Sequence, residues 1–524
     1  MAPGESQDIE TATTNVQAQP DNKTRRYDRQ LRLWAATGQA ALESSRILVL
    51  SASATSTSIL KNLVLPGIGH FTILDHQTVT PEDAGNNFFL EGHDSVGKSR
   101  AEEAVRLLGE LNDGVEGEAN TADFEELLKK DPDYFTSFSL IIAHNIRRDL
   151  LEDLSKLLWS SQAHPSLIVV RTAGFLTEFY IQYHEHDVIE SHSETTPSLR
   201  IDKPFPALLE HATSIDFDNM DPTEHGHIPY VIILVHAMDK WKKVHDGKPP
   251  QTYEEKKAFK QSILAMKVKS DEENFDEAEA QAYRAWTSTG VPSEIQSILT
   301  SPKLNLDNLT PSSPIFYHLL SALKQFAAQP PHVLPLSSTL PDMKSDTENY
   351  VHLQRLYKAR AEHERGVLRG LVQIPVEDEL VDVFVKNAHG LRVLHGRRWG
   401  EFDSDREAIA NALSTYPKET VTHLAFYALD TLKALHPDAP PTAAMLQEQI
   451  KDIVGPQVSL PEDELGNALG ELARTPTADV PNTAAFVGGL VAQEAIKMIT
   501  KQYVPINGYC VADLVDSWTG VVGP

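Results

Sequence analysis

Ile47-Leu48-Val49-Leu50, the loop Ser51–Ser58, a helix running to about Leu65, the stop Pro66-Gly67, and Phe71-Thr72-Ile73-Leu74 ending at Asp75 decide the fold. Four consecutive apolar residues without alternation read as a parallel strand buried on both faces. A second such strand after a helix completes a β-α-β unit. Outward from it the rhythm persists. A helix Lys98–Leu111, a strand Leu140–Ala143, a helix Leu150–Trp159 and a strand Leu167–Val170 follow in turn. This alternation predicts an α/β domain with a parallel, doubly wound sheet. Upstream, Tyr27, Leu31 and Trp34 fall at i, i+4 and i+7, one helical stripe.

After about residue 171 the rhythm changes. Phe179–Tyr183 precedes a long polar stretch and then mostly helical material, including the amphipathic Gln251–Lys269 and Asn349–Val372. The α/β character returns in the apolar helix Thr483–Ile499 and the strand Tyr509–Leu514, so one α/β domain is interrupted by a helical insertion. Six acids between residues 271 and 279 read as a solvated helix face. The apolar runs Val231–Val235 and Leu140–Ala143 have the length of buried strands, well short of a membrane span.

The 524 residues suggest about three domains' worth of chain. Lys and Arg number 47 against 74 Asp and Glu, a net charge of −27, which disfavours nucleic acid and anionic membranes as partners. Cys510 is the only cysteine, so no internal disulfide, cysteine-built zinc site or Cys-x-x-Cys pair is available. Residues 1–23 are polar and lack an apolar leader core. Cytoplasmic or nuclear residence is expected.

The first β-α turn is where a nucleotide phosphate would approach bare backbone, which demands glycines. Ser51, Ser53 and Ser56 stand there instead, while Asp75 still ends the second strand where a ribose-binding carboxylate would stand. The scaffold of a nucleotide site persists without its phosphate cradle. Gly92-His93-Asp94-Ser95-Val96-Gly97-Lys98-Ser99 formally matches a phosphate-binding loop, but Asn86–Glu91 before it makes a poor strand. Strand Leu140–Ala143 runs into His144-Asn145 rather than an acid that would hold Mg2+. The pairs His184/His186 and His225/His227 read as surface histidines lacking a third ligand, and Cys510 reads as a small core hydrophobe.

Tyr27–Trp34 with Gly38-Gln39 and the strand–loop–helix after it resembles the opening of the adenylation domain of ubiquitin-like activating enzymes. Leu60–Gly69, Glu82–Leu90, Asp202–Pro206, Asp271–Phe275, Pro341–Met343 and Ala484–Gln502 are similar to the non-catalytic subunits of heterodimeric neddylation-activating enzymes. The resemblance implies a Rossmann-like pseudo-adenylation domain, residues 24–170 and 480–524. A mostly helical domain resembling the catalytic-cysteine domain, residues 171–479 without the cysteine, would interrupt it, and residues 1–23 would be a disordered tail.

It further implies that ATP and Mg2+ belong to a catalytic partner subunit, which adenylates a ubiquitin-like modifier and carries it as a thioester towards a conjugating enzyme. No cofactor is then expected on this chain. Arg29, in Tyr27-Asp28-Arg29-Gln30, would reach the partner's ATP in trans. Ser51, Ser53, Ser56, Asp75 and Lys98 would be vestigial, and His227, Pro341, Asp342 and Met343 would face the partner. Two other readings stay open: an autonomous P-loop or adenylating nucleotidase, and a scaffold with no part in catalysis.

Overall fold

A computed structural model describes residues 22–192, 198–305, 308–436, 439–455 and 458–523; the expected tail lies almost wholly outside them. The described residues divide into two compact units, one formed by Ile189–Arg392 and the other by residues 22–188 and 393–523.

The flanking unit is built on an eight-stranded sheet. Its strands are β1 (Arg46–Leu50), β2 (His70–Leu74), β3 (Glu116–Asn120), β4 (Leu140–His144), β5 (Ser166–Ala173), β6 (Leu176–Gln182), β7 (Tyr509–Asp513) and β8 (Trp518–Val522), in the order β8-β7-β6-β5-β4-β1-β2-β3. From β5 to β3 all pairings are parallel, and β5-β6, β6-β7 and β7-β8 are antiparallel.

Side chains alternate across this sheet as the two-residue period demands. Leu48, Leu50, Ile141, Ala143, Leu167 and Val169 enter one core, with helices α4 (Arg148–Trp159), α5 (Pro417–Leu435) and α6 (Glu462–Arg474). Ile47, Val49, Leu140, Ile142, Ile168 and Val170 enter the other, with α2 (Ala54–Val64), α3 (Arg100–Gly109) and α7 (Pro481–Thr500). Helix α1 spans Asp28–Glu43 and is broken at Trp34 and Ala35. A Cβ built on Gly488 would lie 2.4 Å from Ser58 Oγ, so glycine is what lets α7 close on α2.

The units divide elsewhere than at 170/171 and 479/480. β5 runs to Ala173 and turns back into β6, and helices between Arg406 and Arg474 cover one sheet face. Strand β3, Glu-Gly-Glu-Ala-Asn, has no apolar signature because it is an edge strand and mostly exposed.

In the unit 189–392, helices Pro206–Ser214, Tyr253–Leu264 and Glu273–Gln281 surround Tyr230–Val244, with Leu353 and Tyr357 of the long helix Thr347–Leu371 in the same core. Val231–Val235 is therefore helix, not strand: a helix buried on all sides is as continuously apolar as a central strand. Arg200 and Glu364 form a buried bidentate pair, Nη1–Oε1 2.6 Å and Nη2–Oε2 2.7 Å, and Glu364 also accepts from Leu336 N and Arg360 Nε. Glu364→Ala strands the Arg200 charge and is expected to destabilise this unit by about 3–5 kcal/mol, read from denaturant unfolding.

The histidine and acid readings need correction. His186 and His225 are buried, and Glu272 is buried too, its Oε1 2.8 Å from His225 Nδ1. Composition marks 271–279 as solvated, but the chain turns one of those acids inward to pair with a histidine 47 positions away.

Candidate functional site

β2 and β3 lie to one side of β1, and β4 and β5 to the other, so chain order reverses between β1 and β4. A cleft at such a switch point, beyond the carboxyl ends of the strands, is the ligand position of doubly wound folds. Here it has a volume of about 620 Å3 and is lined by Ser51, Ser53, Asp75, Arg100, His144 and Asp479 among others.

Ser51 holds φ +85°, the left-handed conformation usually reserved for glycine. Ser53 caps α2, its Oγ accepting from Ser56 N at 3.1 Å and lying 2.7 Å from His144 Nδ1. His144 Nε2 meets Thr172 Oγ1 at 2.9 Å. Burial holds the His144 pKa below its ordinary value, so the imidazole adds no positive charge to the cleft. Thr55, the second residue of α2, donates its N–H to Asp479 Oδ2 at 3.0 Å and its hydroxyl to Asp479 Oδ1 at 2.5 Å. Asp75 accepts from Ala52 N at 2.7 Å, Gln77 N at 2.9 Å and Arg100 Nε at 2.8 Å, and Arg100 also meets Asp83 at 3.2 Å.

ATP does not fit these residues. The carboxylate that would bind ribose is spent on Arg100, and the helix N-terminus that would take phosphate already holds a carboxylate. Seven carboxylates against five Lys and Arg line the cleft, a poor home for a polyanion. The Mg2+ position at the end of β4 carries His144 and Asn145, and among the described residues no three His, Cys, Asp or Glu are placed to hold a metal.

From the cleft wall, where Arg148, Arg171 and Asp430 stand, a series of alternating charges runs into the core. Arg148 pairs with Asp403 (3.4 Å), Asp403 with His423 Nε2 (2.9 Å), His423 Nδ1 with Glu178 (2.9 Å), Glu178 with Arg171 (3.1 Å) and Arg171 with Asp430 (2.9 Å). Burial alone would lower the His423 pKa, but Glu178 and Asp403 push it up to about 9, so His423 is an imidazolium.

Of the expected site residues, Ser51, Ser53 and Asp75 line the cleft, and Ser56 is buried in the first turn of α2. Lys98 does not line it; its Nζ lies 3.5 Å from Glu103, and the loop 92–99 follows no strand. Changing Lys98 or Ser99 to Ala is expected to cost no more than about 1 kcal/mol in denaturant unfolding, with only a surface pair or a helix cap lost.

Arg29 is exposed on the first turn of α1. Around it Arg26 pairs with Asp113 and Arg32 with Asp28, but among the described residues Arg29 has no hydrogen bond or ion pair. Its segment is anchored by Tyr27, whose hydroxyl accepts from Asn112, and by Trp34, whose indole N–H donates to Gln39.

In the other unit, His227 is exposed and Met343 is partly packed on the core. One helix, Glu273–Gln281, braces both loops: Asn274 donates to the His225 and Ile228 carbonyls, while Glu277 accepts from Lys344 N and Glu273 pairs with Lys344 Nζ. Cys510, on β7, is buried against α7, and burial pushes its thiol up to about 12, so it stays a thiol near neutral pH.

Arg100 and Asp479 carry no readable signal in the sequence. Arg100 is one arginine among many, and Asp479 meets Thr55 across 424 positions.

Fold and cleft together define a ThiF-type α/β domain whose switch-point cleft carries Asp479 on the first turn of α2 and Arg100 on Asp75; the ThiF family profile matches residues 27–150. Similarity over nearly the whole length is narrower. The chain is 37% identical to the NEDD8-activating enzyme E1 regulatory subunit of Xenopus laevis, covering 93% of this chain and 96% of that protein. It is 36% identical to the Gallus gallus regulatory subunit, covering 93% and 95%. It is 33% identical to the regulatory subunit AXL of Arabidopsis thaliana, covering 95% and 98%. The chain belongs to the family of NEDD8-activating enzyme E1 regulatory subunits.

Proposed function

We propose that this chain is the regulatory half of a heterodimer whose catalytic partner holds ATP and Mg2+, adenylates the ubiquitin-like modifier and carries it as a thioester for a conjugating enzyme. The observation that carries this reading is the cleft at the switch point, where Arg100 and Asp479 take up the groups that would hold a nucleotide. The unpaired Arg29 guanidinium is the group the chain offers outward, with fixed donors suited to phosphate oxygens on the partner. His227 and Pro341–Met343, held by one helix, are offered as partner contacts. The chain binds no cofactor of its own. Among the described residues no helix is long and apolar enough to cross a membrane.

The test is ATP–pyrophosphate exchange and modifier thioester formation with this chain, the catalytic subunit, and both together. Activity is expected from the pair. Exchange or thioester formation by this chain alone would overturn the reading.

A further inference from the structure

Two acceptors meet the first turn of α2, and they have different origins. Ser53 is the local cap; Asp479 arrives from the far end of the chain, in the segment 475–480 between α6 and α7. Its two oxygens take the Thr55 N–H and hydroxyl, a bidentate seat at the positive end of a helix, which is what an oxyanion would take there.

The segment that delivers Asp479 is stitched down along its length. Ala478 O accepts from Gly174 N at 2.9 Å, Pro476 O from Lys433 Nζ at 2.9 Å, and Thr483 Oγ1 donates to Gly174 O at 2.7 Å. Gly174, in the turn between β5 and β6, has φ +61°, and a Cβ there would lie 2.2 Å from Thr475 Oγ1. Glycine is required for the turn and the strap to meet. Independently, at the ribose end, Arg100 holds Asp75. The cleft has therefore been refilled with groups of matching charge: a carboxylate where phosphate would sit, and a guanidinium on the carboxylate that would take a ribose.

We propose that Asp479 is a resident substitute for a nucleotide phosphate, seated by the strap 475–480 on the N-terminus of α2, and that with Arg100 on Asp75 it closes the cleft to phosphate-bearing ligands from within. This rests on the reading that the chain binds no ATP of its own. The ligand class excluded is the di- or triphosphate. Pyrophosphate, the smallest member that could use the freed donors, is the probe.

The full chain and its Asp479→Ala and Asp479→Asn variants are titrated with inorganic pyrophosphate by calorimetry at matched ionic strength, and the exchange of backbone amides in residues 475–480 is followed in deuterium oxide. Asp479→Ala frees both Thr55 donors and removes a negative charge, and is expected to bind pyrophosphate at least about tenfold more tightly than wild type. Asp479→Asn, of nearly the same volume, is expected to fall between them and keeps the test available should the alanine variant fold poorly. Amides of the strap are expected to exchange faster in Asp479→Ala. Folded variants that bind pyrophosphate no better than wild type, or a strap equally protected without the carboxylate, overturn the proposal and leave the regulatory reading intact. ATP bound by the wild-type chain alone overturns that reading instead.

Discussion

Arg29→Ala in the assembled heterodimer is expected to lower the rate of ATP–pyrophosphate exchange by about 10²–10³-fold, the loss typical when one donor to a developing oxyanion is removed. The heterodimer itself should form as before. Arg29 makes no ion pair or hydrogen bond among the described residues, so its removal leaves no buried partner stranded. Tyr27 and Trp34, the anchors of its segment, are untouched. Arg29→Lys should recover only part of the rate, since an ammonium keeps the charge but not the planar fork. Arg32→Ala is the matched control: the same helix and charge, but a side chain already paired with Asp28. If Arg29 reaches the partner's ATP as proposed, the rate should fall in kcat rather than through KM for ATP, because such a contact would strengthen as charge develops. Undiminished exchange by the Arg29→Ala complex would reduce this chain to a scaffold.

A loss of stability as large as that at Glu364 is expected at His423. Its two ring nitrogens hold Glu178 and Asp403 at 2.9 Å each, all three side chains being nearly inaccessible to water. His423→Ala leaves two carboxylates buried with half of their compensation gone, at a cost of about 3–5 kcal/mol in the unfolding of the sheet unit. The cost should depend on pH. The folded His423 titrates near 9 against an unfolded value of about 6.5, so its contribution is whole below about pH 6.5 and is lost as pH rises towards 9.

Asp403 behaves in the opposite sense. Burial would raise its pKa, but His423, Arg148 and Arg171 hold it down at about 2. Its contribution is whole above about pH 4 and is lost as pH falls towards 2. Urea unfolding of wild type and variant at pH 6 and pH 9 should show the gap between them narrowing at the higher pH. A gap of equal size at both would mean that His423 is neutral in the folded protein.

His423 is invisible in the sequence for an instructive reason. It sits in α5 among Val421, Leu424 and Ala425, where a histidine looks like an interruption of an apolar face. Its partners lie 245 and 20 positions away, on β6 and in the turn before the helix following Ser404. Glu272 and His225 repeat the case in the other unit. Buried polar groups satisfy one another across the chain, and a periodicity reads only neighbours.

What the sequence by itself determined is the local physics. Runs such as Ile47–Leu50 and Leu140–Ala143 are apolar at every position, so both faces must be buried, and the alternation of helices and strands around them makes them central parallel strands. Ser51, Ser53 and Ser56 stand where a phosphate cradle would have glycines, and Cys510 is the one cysteine of the sequence; both are legible residue by residue. The tertiary structure alone decided whether Val231–Val235 is helix or strand, since burial on all sides erases the period that separates them. It alone placed the polar edge strand β3, added the antiparallel pairings beyond β5, and kept Lys98 out of the cleft. It alone brought Asp479 to the first turn of α2, because an unsatisfied helix N-terminus attracts whichever acid the fold delivers, and nothing in the local sequence specifies that acid.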